Sequence, residues 1–139
     1  MPEVHLIRRE RFNAAHKLWR PEWSKEKNYE VFGKCANENW HGHNYQLFIT
    51  VKGEPNPLTG MVMDLKLLKQ IILDRVIEEL DHKNIDMDVP WMEGKMSSAE
   101  NIAIAIWERL DAAIKSHGAV LHQVRLYETE NNIIDYFGT

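Results

Sequence analysis

From Asn44 to Lys52 the chain reads NYQLFITVK, with Tyr45, Leu47, Ile49 and Val51 alternating with Asn44, Gln46, Thr50 and Lys52. Successive side chains of a strand point to opposite faces, so this run predicts a strand with one apolar face and one polar face. Such a strand is stable only in a sheet whose apolar face is covered, and the rest of the chain must supply the cover. Two helical stripes can do so. Asp64 is placed to cap a helix carrying Leu65, Leu68, Ile72, Val76 and Leu80. Ser97 and Glu100 have capping-box spacing ahead of Ile102, Ile106, Leu110 and Ile114, and Gly118 is placed to end that second helix. The segment GEPNPLTG, rich in Pro and Gly, predicts a turn before the first helix. Val4 to about His16 reads as extended, and VLHQVRLYET and IIDYF flank the turn residues ENN as a closing hairpin. The order strand, strand, helix, helix, strand, strand predicts an α+β fold. Its expected form is a four-stranded antiparallel sheet with two helices on one face.

Composition narrows the class. A length of 139 residues suits a single domain, residues 1–139, and 44% hydrophobic with 27% charged residues is ordinary for a globular chain. No run approaches the roughly 18 to 20 apolar residues of a membrane span, and MPEVHLIRRERF lacks the apolar core of a secretory signal. The expectation is a cytoplasmic protein without a membrane partner. Cys35 is the single cysteine, so it has no internal disulfide partner and is expected as a free thiol in a reducing compartment. A formal net charge of −4 without a basic run excludes the usual electrostatic term of nucleic-acid binding and points to a small-molecule partner.

The reactive residues concentrate in CANENWHGHNY, Cys35 to Tyr45. His41 and His43 share the strand face of Tyr45, at the mouth of the core side. If the first two strands pair antiparallel across the connection from Lys17 to Trp40, His16 meets both. Three protein ligands with an open position is the usual catalytic zinc arrangement. His5, His117 and His122 have no such company and read as structural or solvated. Cys35 lies close enough to a metal there to serve as a thiolate base, and the competing reading is a small buried hydrophobe. Asp81 and His82 follow the first helix, either as helix-end capping or as a carboxylate-tuned proton-transfer pair. Glu128 shares a predicted strand face with Val120, His122, Val124 and Leu126. There its carboxylate calls either for a ligand bearing N–H groups or for a salt bridge or turn position at the exposed strand end. Lys17, Arg20 and Lys34 read as solvated surface charge.

The blocks FNAAHKL, FGKCANENWHGHNY, LTGMVMDLKLLK, ELDHKNID, SSAENIAIAIW and YETENN, in this order, resemble the 6-pyruvoyltetrahydropterin synthase family, which includes 6-carboxytetrahydropterin synthases. The resemblance runs from about residue 7 to residue 136. It implies a tunnelling fold (T-fold) in which subunit sheets close into a barrel, assembled as a homohexamer, a dimer of trimers, with active sites between subunits. It implies zinc on His16, His41 and His43, a thiol base at Cys35, an Asp-His pair at Asp81 and His82, and a pterin anchor at Glu128. Mg2+ is a second candidate cofactor alongside the triphosphate. The implied reaction converts 7,8-dihydroneopterin triphosphate to 6-pyruvoyltetrahydropterin and triphosphate. Alternatives are 6-carboxytetrahydropterin formation for queuosine synthesis, cleavage to 6-hydroxymethyldihydropterin with Glu38 as the base, and a non-catalytic pterin- or zinc-binding barrel. Ser98 matches a pterin-contacting position, but Ala99 stands where relatives carry a second hydroxyl. The five residues between Cys35 and His41 match the pyruvoyl-forming type.

Overall fold

The computed structural model describes residues 2–139. Strand β1 (Val4–His16) leads through helix α1 (Lys25–Phe32) and a 3-10 turn (Gly33–Ala36) to strand β2 (His41–Gly53). Helix α2 (Leu65–Ile72), a π-helical turn (Leu73–Ile77) and α3 (Glu78–Leu80) form one continuous rod. Then come β3 (Lys83–Asn84), α4 (Ile85–Asp88), a 3-10 turn (Pro90–Met92), the long helix α5 (Ala99–Lys115), and the hairpin of β4 (Val120–Tyr127) with β5 (Ile133–Tyr136).

The predicted α+β order holds, and the strand count and direction need correction. Among the described residues the sheet has five strands, not four, in the order β3-β1-β2-β4-β5. β1, β2, β4 and β5 pair antiparallel, while β3 lies parallel to β1 at Ala14 and Ala15. Two residues carry no readable alternation, so β3 leaves no trace in the hydrophobic pattern. The connection from Lys17 to Trp40 also holds a helix that the apolar spacing does not mark. Ser24 caps α1 by accepting from the Lys27 N–H at 3.1 Å, and the fully buried Asn28 exchanges bonds of 2.7 and 3.0 Å with the Arg20 backbone. α1 is held by polar fastening more than by a packed apolar face.

The core forms where expected. Tyr45, Leu47, Ile49 and Val51 are all buried on β2, and Leu68, Ile72, Val76 and Leu80 are buried beneath them. Those four recur every fourth residue, which in an ideal α-helix drifts by about 40° per step. The wider π turn at Leu73–Ile77 absorbs the drift and keeps Val76 and Leu80 inward. Leu65 is instead exposed at the rod's start, where Asp64 caps α2 by accepting from the Lys66 N–H at 2.9 Å. The N-cap of α5 sits one residue later than the spacing of Ser97 and Glu100 suggests, and among the described residues it is a single cap without the reciprocal bond of a capping box. Ser98 is the cap, accepting from the Asn101 N–H at 3.2 Å, while Ser97 is buried and donates to Asp86.

Strand β4 does not keep one parity along its length. Thr50 pairs with Gln123 but Val51 pairs with Leu121, so His122 is the extra residue of a bulge. Leu121, Val124 and Leu126 therefore face the core, and Val120 and His122 do not belong to the row that ends near Glu128.

α5 lies over β4 and β5, and Ile106 at its centre is fully buried. Ile106→Ala removes three methyl or methylene groups from a site with no route for solvent. It should cost about 2–5 kcal/mol, read as a lowered midpoint in denaturant unfolding.

Candidate functional site

The register of β1 on β2 builds the centre. His16 is the direct cross-strand partner of His41, and Ala14 that of His43, as the antiparallel pairing predicted. The three imidazoles converge with ring centroids 4.5, 4.9 and 5.0 Å apart. One ligand-capable atom from each lies within 4.8 Å of the others. His16 is 1% exposed, and Tyr45 packs edge-on behind His16 and His43.

Chemistry fixes the tautomer of His16. Its Nδ1 lies 2.6 Å from the Ser97 carbonyl, which can only accept, so Nδ1 carries the proton and Nε2 carries the lone pair. That Nε2, both ring nitrogens of His41, Nε2 of His43 and the Tyr45 hydroxyl are buried without a hydrogen-bond partner among the described residues. Buried polar atoms rarely remain unpaired. A cation seated among these nitrogens would satisfy several at once, and the donor set of three imidazoles suits zinc. Burial pushes all three imidazoles below their ordinary value of 6.5. Neighbouring imidazoles add to the depression; the Ser97 carbonyl at His16, the Glu128 carboxylate at all three and Asp86 at His16 and His41 partly offset it. All three are held in the neutral form that ligates metals.

Beside the centre lies a cavity of about 430 Å³ whose lining includes Cys35, Ser98, Glu128, Asn131 and Asn132. Cys35 sits on the 3-10 turn, and its carbonyl accepts from the Leu18 N–H at 2.8 Å, tying the thiol's loop to the chain two residues past His16. The Glu128 carboxylate lies 3.9 Å from His16 Nε2. Its backbone N–H donates to Asn132 across the β4–β5 turn, so the turn fixes where the carboxylate starts. Ser98 spends its hydroxyl on capping α5 yet still lines the cavity. Asn131 and Asn132 were not anticipated as lining residues, because turn Asn is expected from backbone preference alone.

Asp81 and His82 lie elsewhere. They pair at 3.0 Å, with the His82 side chain 78% exposed. His82 has a left-handed φ of 62°, disfavoured for a non-glycine residue. A two-point clamp on β1 holds it: the His82 N–H donates to the Asn13 carbonyl at 2.6 Å, and Asp81 accepts from the Asn13 N–H at 2.8 Å. His82 lines a second cavity, of about 590 Å³, together with His43 of the histidine centre and with Asn13, Ala15 and Asn44, whose strand parity turns them away from the core, and Asp81 lines a third, of about 480 Å³. One chain therefore gathers Cys35, Ser98 and Glu128 around one cavity, while His82 and Asp81 border two others. Glu38 is exposed, in the loop that precedes His41, and lines none of these cavities. His5 and His122, read as structural or solvated, pack against each other with tilted rings 4.5 Å apart.

The depressed imidazoles set a pH dependence in chelator-treated protein. Below about 6.5 the unfolded chain binds protons that the folded histidines resist, so stability is full above that value and falls as pH drops through the lower folded values. The melting temperature should decline from pH 7 toward pH 5. His43→Gln should flatten the slope, and an equally steep profile in that variant would contradict this origin.

Comparison with known proteins agrees with this geometry. The family described as 6-pyruvoyl tetrahydropterin synthase matches residues 5–139. The 6-pyruvoyl tetrahydrobiopterin synthase of Pongo abelii is 46% identical over 136 residues, covering 98% of this chain and 92% of that protein. The Homo sapiens protein of the same name is 45% identical over the same coverage. The solved structure of Caenorhabditis elegans 6-pyruvoyl tetrahydropterin synthase superposes with a TM-score of 0.92 at 40% identity, covering 100% of this chain and 98% of that one. With the match spanning both the histidine centre and the adjoining cavity, the chain belongs to the 6-pyruvoyl tetrahydropterin synthase family.

Proposed function

We propose that this chain converts 7,8-dihydroneopterin triphosphate to 6-pyruvoyltetrahydropterin with release of triphosphate, using zinc held by His16, His41 and His43. One observation carries the reading: a cavity lined by Cys35, Ser98 and Glu128 opens beside three imidazoles that each turn at least one unpartnered nitrogen inward. Its volume of about 430 Å³ lies within the usual range for small-molecule sites. Zinc would supply Lewis acidity toward the substrate's side-chain hydroxyls. Cys35 as thiolate takes the proton from the adjacent side-chain carbon. The Glu128 carboxylate accepts from the N–H groups of the pterin ring, fixing which carbon faces the thiol. The Ser98 hydroxyl, whose oxygen accepts from the Asn101 N–H, keeps its proton to donate at the same wall. Asp81 orients His82, which moves protons as the triphosphate leaves.

Within one chain His82 and Asp81 each line a cavity other than that of Cys35, so the reading places their contribution in the site of a neighbouring copy. The sheet supports such closure. Among the described residues, β1 pairs on its outer side only at Ala14 and Ala15, leaving most of a 13-residue strand as an edge. Long open edges are normally covered, and pairing with another copy's sheet in a barrel and hexamer would cover this one.

Incubation of zinc-loaded protein with the substrate, read by mass spectrometry, should give the pyruvoyl product. The carboxy product with acetaldehyde would instead assign the protein to deazaguanine synthesis, and a hydroxymethyl product would move the base to Glu38. Cys35→Ala should retain one zinc per chain and lose about 10²–10⁴-fold in turnover. Full turnover in that variant would remove Cys35 from the reaction.

A site shared between copies has its own signature. Cys35→Ala and His82→Ala chains, each inactive alone, should regain a fraction of wild-type activity after being unfolded, mixed and refolded together. No recovery would mean that each chain completes its own site.

A further inference from the structure

Asp86 lines none of the cavities described above but borders a smaller one, of about 290 Å³, with Lys17 and Trp40, and three donors from three separate segments meet at its carboxylate. The Lys17 N–H and the Trp40 indole N–H both donate to Oδ2 at 2.9 Å, and the Ser97 hydroxyl donates to Oδ1 at 2.6 Å. Charge-assisted bonds of this length are stronger than neutral ones. Asp86 itself is set by α4, whose first turn is capped by Asn84: the Asn84 side chain accepts from the Asp86 N–H at 3.0 Å and the Met87 N–H at 3.2 Å.

The three donors are the neighbours of the histidine centre. Lys17 follows His16 directly. Trp40 directly precedes His41 and has a left-handed φ of 63°, which a non-glycine residue keeps only when its surroundings enforce it. Ser97 is fully buried and presents to His16 Nδ1 the carbonyl that decides which ring nitrogen holds the proton. The ring nitrogen opposite the ligating one is commonly fixed in this way, and the partner groups tune affinity. A carbonyl can fix a ring only if its own residue is fixed, and the hydroxyl bond to Asp86 does that from the far side of Ser97.

We propose that Asp86 is a positioning residue of the histidine centre. Through Ser97 it holds the Nδ1–H tautomer of His16, and through Lys17 and Trp40 it locks the backbone beside His16 and His41. The proposal rests on the reading that these histidines hold a metal. It requires the carboxylate as an acceptor of three bonds and gives it no contact with the substrate.

The test combines 15N spectra of the imidazoles in metal-free protein with Co2+ and Zn2+ titrations of the same samples. In the wild type, His16 should show a single Nδ1–H tautomer and each chain should take up one metal ion. Asp86→Ala should mix the two tautomers of His16 and weaken metal binding about 10–100-fold. Asp86→Asn keeps an acceptor for the Lys17 and Trp40 N–H groups and should recover most of that affinity. Ser97→Ala leaves the carbonyl in the chain but cuts its tie to Asp86, so it should reproduce the tautomer mixing with Trp40 untouched; it decides the matter if Asp86→Ala does not fold. A lowered melting temperature with an unchanged His16 signal in these variants would make Asp86 structural only and overturn the proposal. A wild type that takes up no metal would overturn the metal reading, whereas an unchanged His16 tautomer in Asp86→Ala overturns the positioning role whatever the wild type binds.

Discussion

The antiparallel ladder between β1 and β2 is the constraint on which the rest depends. It runs unbroken from Val4 opposite Gly53 to His16 opposite His41. A strand's side chains alternate, so a slip of one residue would turn Phe12, Ala14 and His16 to the outside and send Asn13 and Ala15 into the core. The aromatic pair Phe12 and Tyr45, stacked at 4.7 Å, sits one step inward from the histidines and makes such a slip costly. Core packing and placement of the reactive imidazoles are thus one event. The apolar rows of β1 and β2 choose the register, and the register brings the histidines together.

This dependence explains what could be read from the residues. Tyr45, Leu47, Ile49 and Val51 announced their strand by alternation, and parity carried the reading outward to His43 and His41 without further information. His16 followed from antiparallel pairing alone. Glu128 was recoverable because its parity with Val124 and Leu126 survives to the strand end. The features that escaped share another origin. β3 has only two residues, α1 is fastened by Ser24 and Asn28 without an apolar stripe, and the bulge at His122 is a change of register that no single strand displays. Ser97 and Ser98 are chemically alike, so spacing could not tell which would cap α5 and which would turn inward to Asp86.

Polar burial here is organised in two styles. Asn28 and Ser97, both inaccessible to solvent, have their hydrogen-bonding atoms matched by backbone or carboxylate partners and serve to fasten segments. The histidine centre does the reverse, gathering nitrogens that the protein itself leaves without partners. Unpaired buried nitrogens weaken a fold, and a site that keeps several of them is shaped by what it binds and not by its own stability. The surrounding core of Leu, Ile and Val, with its long apolar rows on β2 and α5, supplies the margin that tolerates this.

The bulge in β4 divides that strand into two mechanically separate halves. On the Glu128 side, Val124 and Leu126 keep step with β2; on the other side, Leu121 has taken the inward place that an unbroken strand would give to His122. A residue gained or lost in the loop before β4 can be absorbed at the irregularity without propagating to the carboxylate. The far end of the sheet thereby has slack that the reactive end lacks, and length variation among related chains is most easily accommodated between α5 and His122.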